Sequence, residues 1–154
     1  VQTVTITDDD TAGFTLAQTG GSTSVAESGS TDTFTAVLNS KPTGNVIFTV
    51  TSSDTGEATV SPATLTFTTG NWNTAQTVTV TGVNDSIDDG NVNSTTTIAI
   101  NTGSTADSTY DSVSSQTVTV TTADDDTAGF TVTQSGGSTS VAETGSTDTG
   151  WADQ

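Results

Sequence analysis

The sequence predicts an all-β chain, and three observations carry that prediction. Apolar residues alternate with threonine or serine at a period of two, as in Phe34, Ala36 and Leu38. This alternation is typical of strands that bury one face and expose the other to water. Turn residues separate the alternating segments, and no segment shows helical periodicity. The abundant threonine on the polar face also favours extended backbone.

Seven alternating segments follow one another, and each is long enough for one strand. The first is interrupted by Gly20-Gly21 and the fourth by Pro62, where we expect the chain to bend. Seven short antiparallel strands in about 110 residues are typical of an immunoglobulin-like β-sandwich, and a closed barrel is the structural alternative. The predicted strands cover residues 13–26, 32–39, 45–52, 57–69, 75–82, 92–101 and 116–122.

An internal repeat sets the domain organisation. Residues 8–33 and 124–149 differ at four positions and are offset by 116 residues. A period of this length suits a string of independent domains better than a solenoid. The predicted units are the end of a preceding repeat (1–10), one complete repeat (11–126), the start of a following repeat (127–149) and a tail without counterpart (150–154).

The composition excludes several classes of function. Eighteen acids against the single cation Lys41 give a net charge of −17. Nucleic acids and anionic membrane surfaces are not expected partners, because almost nothing can neutralise phosphates. No apolar run approaches the roughly 20 residues of a membrane span. Cysteine and histidine are absent, which excludes disulfides and the usual zinc sites and removes the commonest general base. We do not expect an enzyme, because clustered acids without other catalytic partners favour metal binding.

The acids concentrate at one end of the predicted sandwich, here called the acidic pole. Successive loops alternate between two ends, so the first, third and fifth loops share an end with the residues after the last strand. Ten acids fall there, whereas Asp107, Asp111 and Lys41 fall at the opposite pole. The ten are Glu27, Asp32, Asp54, Glu57, Asp85, Asp88, Asp89, Asp124, Asp125 and Asp126.

So many neighbouring carboxylates repel one another, and the acidic pole has no Lys or Arg to pair with them. A hard divalent cation is the expected remedy. Calcium takes roughly six to eight oxygen ligands in flexible geometry, whereas magnesium prefers a tighter octahedron with fewer protein ligands. The all-oxygen donor set argues against zinc and copper. The alternative is a solvated acidic surface that aids solubility.

Three parts of the sequence resemble the Calx-beta family, which is named for calcium-binding regulatory domains of sodium–calcium exchangers and recurs in bacterial surface proteins. They are Val25-Ala26-Glu27, the stretch at 61–85 that runs into the fifth loop, and Asp124-Asp125-Asp126. The sequence departs from the family where Gly90 follows Asp89 and where SSDTGEATV (52–60) replaces a Gly-Ser-Asp-Tyr motif. The resemblance implies a calcium-binding sandwich with the ligands Glu27, Asp54, Asp85, Asp88, Asp89, Asp124, Asp125 and Asp126.

These observations favour a calcium-stabilised structural repeat of an extracellular bacterial surface protein or adhesin, acting as a rigid spacer beside neighbouring repeats. One alternative is a subunit of a self-assembling fibre or sheath. Residues 2–7 resemble the last predicted strand and residues 130–142 the first, and each segment exposes an unpaired edge that a neighbouring chain could pair with. A weaker alternative is a carbohydrate-binding module that stacks Trp72 or Tyr110 on a sugar. Both aromatic residues are more typical of packing at the ends of a sandwich.

Overall fold

The computed structural model describes residues 2–134 and residue 136, and it shows a β-sandwich. The predicted tail at 150–154 and most of the following repeat lie outside the described residues. Within the described part, no helix has the length and apolar character needed to cross a membrane. The strands are β1 (Phe14–Gln18), β2 (Thr23–Ala26), β3 (Thr31–Leu38), β4 (Val46–Ser52), β5 (Ala58–Ser61), β6 (Thr64–Phe67), β7 (Gln76–Gly82), β8 (Val92–Ile100) and β9 (Gln116–Ala123).

The strands form two sheets, with the orders β1-β3-β7-β5 and β2-β9-β8-β4-β6. This arrangement confirms the predicted β-sandwich, and it is not the closed barrel considered as the alternative. Two of the seven predicted strands are each divided between the sheets, the first into β1 and β2 and the fourth into β5 and β6. A turn at Thr19–Gly21 makes the first crossing, where Gly20 and Gly21 have φ values of 68° and 86° that favour glycine. Pro62 lies at the second crossing, as the sequence predicts.

The pair formed by β2 and β9 is parallel, whereas the sequence predicts antiparallel pairing throughout. After the turn at Thr19–Gly21, the chain continues to the same end of the sandwich but exchanges β3 for β9 as its neighbour. The register runs from Thr23 opposite Val120 to Ala26 opposite Ala123. Because the two strands run side by side in one direction, both end at the acidic pole.

The core consists of the inward-facing alternate residues of both sheets. Phe34, Phe48 and Phe67 are fully buried, and the Phe48 ring packs edge-on against Phe14 at 4.8 Å and Phe67 at 5.8 Å between centroids. Such aromatic pairs favour a fixed arrangement of the two layers. The predicted period of two in these strands is therefore confirmed.

The two aromatic residues considered for sugar stacking both take part in packing. Trp72 is partly buried and packs against the core. Tyr110 is only 1% exposed, and its hydroxyl donates a hydrogen bond of 2.6 Å to the Ser40 carbonyl oxygen. The Tyr110 ring is therefore not available to a sugar in this conformation.

We expect Gly82→Ala to destabilise the fold, because Gly82 lies directly against the backbone of β2. A Cβ atom at Gly82 overlaps the carbonyl oxygen of Ala26 and lies 2.7 Å from its carbonyl carbon. The loss expected for such overpacking is about 1–3 kcal/mol in the free energy of unfolding, measured by urea denaturation. Gly103→Ala is the control, because its Cβ meets no atom nearer than 3.7 Å. Equal stability of the two variants contradicts the close approach of β2 and β7.

Candidate metal centre

Glu27 is the central residue of the acidic pole, and the parallel strand pair places it there. Its backbone N–H donates to the Ala123 carbonyl oxygen at 3.1 Å, which extends the pairing by one residue past the end of β2. The side chain is 1% exposed. The parallel pairing therefore buries Glu27 beside the acidic run that begins at Asp124.

Glu57 approaches Glu27 from the turn that precedes β5. Asp54 builds this turn, because its backbone oxygen accepts from Ala58 N–H at 3.1 Å and its Oδ1 accepts from Gly56 N–H at 3.0 Å. The Glu57 carbonyl oxygen accepts from Val83 N–H at 2.9 Å, which ties the turn to the chain that follows β7. Glu57 is consequently buried, with 7% of its surface exposed.

The described residues contain two groups of carboxylates with oxygens close enough to share an ion. In each group, all the ligand atoms lie within 4.8 Å of one another. Glu27 belongs to both groups, so the two candidate positions are adjacent. The first group is Glu27, Asp85 and Asp126, and the second is Glu27, Glu57 and Asp89.

Several of these carboxylates carry a buried oxygen without a hydrogen-bond partner. Among the described residues, four buried side-chain oxygens lack a partner, and three of them are Glu27 Oε2, Glu57 Oε2 and Asp126 Oδ2. The fourth is the hydroxyl of Ser94. Buried polar atoms in proteins nearly always have partners, so three orphaned carboxylate oxygens at one pole require an explanation. A hard cation fits this donor set, because it binds carboxylate oxygens directly.

The electrostatics of the acidic pole oppose ionisation of its buried carboxyls. Burial, and then the charges of Asp124 and Asp85, raise the pKa of Glu27 above its usual value. Burial, and then the charges of Asp89 and Asp54, raise the pKa of Glu57. The pKa of Asp126 is also raised, first by burial and then by its acidic neighbours. At neutral pH the pole therefore favours any positive charge that can reach it.

The other predicted ligands have different positions in the structure. Asp124 accepts through Oδ2 from Gly90 N–H at 2.7 Å and through Oδ1 from Asp126 N–H at 2.8 Å. Asp88 accepts through Oδ2 from Ala128 N–H at 2.7 Å, so it holds the chain beyond β9. Asp54 shapes its own turn, and Asp125 is exposed.

The structure thus brings together four of the eight predicted ligands and adds one more. Glu27, Asp85, Asp89 and Asp126 lie in the two carboxylate groups, whereas Asp54, Asp88, Asp124 and Asp125 lie outside them. Glu57 was counted at the acidic pole but was absent from the predicted ligand set. The sequence signal for Glu57 is its position, because it is the first residue of the predicted strand 57–69 and follows Asp54 by three residues. Asp32, also counted at the pole, accepts instead from Ser24 N–H at 2.9 Å.

The opposite pole shows a carboxylate in the contrary situation. Asp107 is buried and accepts hydrogen bonds from Thr43 N–H at 2.7 Å, from Thr109 N–H at 3.0 Å and from the Thr109 hydroxyl. The Thr109 hydroxyl and the Thr43 amide lower the pKa of Asp107 from 3.8 to about 2, although burial acts against them. This acid is satisfied by the chain itself and needs no cation.

Comparison with known proteins supports the fold. No protein-family model matches the sequence, and no curated protein matches it. Among solved structures, the chain is similar to the E. coli chaperone DraB, with a TM-score of 0.50 and 9% identity over 76% of this chain and 59% of that one. At this identity, the similarity to DraB concerns the fold alone.

Two further similarities have lower TM-scores. Domains 4 and 5 of the S-layer protein SbsC match with a TM-score of 0.43 and 26% identity over 71% of this chain, which spans about half (51%) of that structure. The apo form of the Calx CBD1 domain matches with a TM-score of 0.45 and 12% identity over 73% of this chain and 98% of that one. The resemblance to the Calx-beta family stays a prediction.

In the absence of divalent cations, we expect the free energy of unfolding to increase as the pH falls from 7 towards 4.5. The raised pKa values mean that the folded chain takes up protons in this range before the unfolded chain does, so protonation favours folding. The lowered pKa of Asp107 has the opposite effect, but only at pH values below its usual pKa of 3.8. There, the stability that the charged Asp107 contributes is lost as the pH falls to about 2.

Urea unfolding in EDTA at pH 7, 6 and 5 measures this dependence. Glu27→Gln removes one charge from the acidic pole, and it is expected to increase stability at pH 7 and to weaken the pH dependence. Asp111→Asn removes one charge from an exposed residue at the opposite pole, and it is expected to leave the slope nearly unchanged. Identical slopes for the two variants contradict the local origin of the effect.

Proposed function

We propose that the acidic pole binds calcium and that the bound ions stabilise the sandwich. The observation that carries this proposal is the set of three buried carboxylate oxygens without partners, on Glu27, Glu57 and Asp126. These oxygens belong to three segments of the chain that are remote in sequence. A calcium ion supplies the positive charge and the oxygen-binding capacity that the chain lacks at this pole.

The two carboxylate groups suggest two neighbouring ion positions that share Glu27. One position takes Asp85 and Asp126 as further ligands, and the other takes Glu57 and Asp89. Backbone carbonyls and waters complete the coordination that calcium prefers. Because the ligands converge only in the folded chain, calcium binds the native state and shifts the folding equilibrium towards it.

The role that follows is structural. We propose that the chain belongs to an extracellular surface protein or adhesin, in which repeats of this kind act as rigid spacers. The repeat of 116 residues supports a tandem arrangement. Extracellular sites work in the range of about 10⁻⁴–10⁻³ M calcium, so even weak binding suffices there. The absence of cysteine fits a domain that relies on a metal rather than on disulfides.

Calcium is expected to raise the melting temperature of the chain markedly relative to excess EDTA. At about 100 times the dissociation constant, one bound ion adds about 2.7 kcal/mol to the free energy of unfolding. For a domain of this size, that corresponds to roughly 10 °C. Thermal melts followed by far-UV circular dichroism in calcium, magnesium and EDTA measure the shift, and magnesium is expected to have a smaller effect.

The matched variants for this melt are Glu57→Gln and Asp111→Asn, which each remove one negative charge. Glu57→Gln is expected to reduce the calcium-dependent shift by more than half, whereas Asp111→Asn retains it. Glu57 is the sharper choice, because the resemblance to Calx-beta domains did not include it among the ligands. Identical melts in calcium and EDTA contradict the proposal and leave the acidic pole as a solvated surface.

A self-assembling fibre is the second candidate. It is favoured by the exposure of apolar residues whose counterparts in the complete repeat lie in the core. Val4 and Ile6 are 80% and 89% exposed, although the corresponding residues of β9, Val118 and Val120, are buried. Phe130 is likewise 91% exposed. Its counterpart 116 residues earlier, Phe14, lies in the core. A neighbouring chain that accepts these segments as edge strands buries their apolar side chains.

Strand exchange of this kind predicts concentration-dependent association in sedimentation velocity experiments. Replacing Val4 and Ile6 together by serine is expected to abolish the larger species, because the donated strand loses its apolar face. Thr5→Ser is the control, since it lies between them and is expected to leave association intact. A wild-type chain that stays monomeric at the highest soluble concentration contradicts the fibre.

A further inference from the structure

We propose that the loop between β7 and β8 is a docking surface for the following repeat of the same polypeptide. The loop holds that repeat through the segment 126–129, which joins the two units. The inference rests on the tandem spacer role proposed above, but it does not depend on calcium. It concerns the relative position of two repeats, whereas the calcium site concerns the stability of one.

The segment after β9 is tied to this loop at successive points. Asp124 N–H donates to Asn91 Oδ1 at 3.2 Å, and Asp124 Oδ2 accepts from Gly90 N–H at 2.7 Å. Further along, Ala128 N–H donates to Asp88 Oδ2 at 2.7 Å. The joining segment therefore runs along the loop. A cleft of about 360 Å³ lies between them, lined by Ser86, Ile87, Asp88, Asp126, Thr127 and Ala128.

Ile87 is an apolar side chain at a pole otherwise rich in carboxylates, and it is 61% exposed. Its N–H donates to Asp85 Oδ1 at 2.7 Å, and its carbonyl oxygen accepts from Asp89 N–H at 2.9 Å. These bonds close a tight turn that presents the side chain outward, beside the joining segment. A single exposed isoleucine is ordinary, but this one lines the cleft that the joining segment completes.

The repeat shows how near the following unit must lie. Ala128 corresponds to Ala12, which packs against the core of its own repeat, and Phe130 corresponds to the buried Phe14. When the following repeat folds as residues 11–126 do, Ala128 packs against that core while its amide is bound to Asp88. Two residues of extended chain span at most about 7 Å. The first strand of the following repeat therefore begins next to the loop that carries Ile87.

The pole opposite to the acidic pole holds Lys41 together with Asp107 and Asp111, so only Lys41 offers a favourable charge to an acidic surface. In the complete repeat, Asn39 N–H donates to the Gly13 carbonyl oxygen at 2.9 Å, so the loop after β3 lies where the chain enters the sandwich. That loop carries Lys41, which is exposed. In a tandem array, this pole faces the acidic pole of the preceding repeat, including the exposed Asp88. The partner that fits the surface is thus a second copy of this fold, presented by its Lys41 pole.

The first test uses the 154-residue chain in EDTA, at a temperature where circular dichroism shows it to be folded. The Ala128 amide is expected to exchange at least tenfold more slowly than an unprotected amide, by NMR-detected hydrogen exchange. Asp88→Ala is expected to abolish this protection, while Asp111→Ala retains it. An unprotected Ala128 amide in the wild-type chain overturns the tether.

The second test uses residues 1–149 continued by a second copy of residues 34–126, which completes two repeats in register. Because the chain has no cysteine, Thr59→Cys in each repeat allows selective spin labelling of an exposed strand position. Double electron–electron resonance in EDTA is expected to give one narrow distribution of the distance between the two spin labels. Ile87→Ser is expected to broaden it at least twofold without changing the melting temperature of the 154-residue chain.

A broad distribution in the wild-type two-repeat chain overturns docking, and a distribution that Ile87→Ser leaves narrow overturns the role of Ile87. Neither result bears on calcium, which the thermal melts test separately. If calcium does not change the melting temperature but the distance distribution is narrow, the docked junction is supported and the calcium site is not. If calcium raises the melting temperature but the distance distribution is broad, the calcium site is supported and the docked junction is not.

Discussion

The parallel pairing of β2 with β9 is the constraint on which the acidic pole depends. It carries Glu27 to the same end as the run from Asp124 to Asp126, although the two segments are almost a hundred residues apart in sequence. The pairing requires that the first strand leave the β1 sheet at Gly20-Gly21 and that Gly82 lack a side chain where β2 passes. Backbone sterics thus come before electrostatics, because they decide which carboxylates meet.

The two poles show how the same functional group acquires opposite properties from its neighbours. Asp107 has three donors around it, so its charge is stabilised and its pKa falls to about 2. Burial first, and then the charges of other carboxylates, raise the pKa values of Glu27 and Glu57, and one oxygen of each has no hydrogen-bond partner. The number of donors supplied by the chain, rather than burial alone, separates a structural acid from a candidate ligand.

Much of the fold was predictable, because a period of two in Phe34, Ala36 and Leu38 has only one regular interpretation. The division of the first and fourth segments was visible only as bends at Gly20-Gly21 and Pro62. Their consequence, a change of sheet and a parallel pair, depends on which neighbour the chain meets after the bend. Alternation within one segment carries no information about that neighbour.

For a related reason, the sequence predicts where the candidate site lies, but only half of the eight predicted ligands belong to the two carboxylate groups. Loop alternation places an acid at a pole, whereas the orientation of its side chain depends on local turns. Asp54 and Asp88 use their oxygens to hold backbone amides, while Glu57 is turned inward by a turn that Asp54 itself builds. Position in the chain does not decide this alone, because Asp124 directly follows β9 and still accepts from two backbone amides, whereas Asp85 accepts from Ile87 N–H and still lies in a carboxylate group. One loop therefore contributes both to the candidate metal centre and to the attachment of the joining segment, since Asp85 and Asp89 belong to the carboxylate groups while Asp88 accepts from Ala128 N–H.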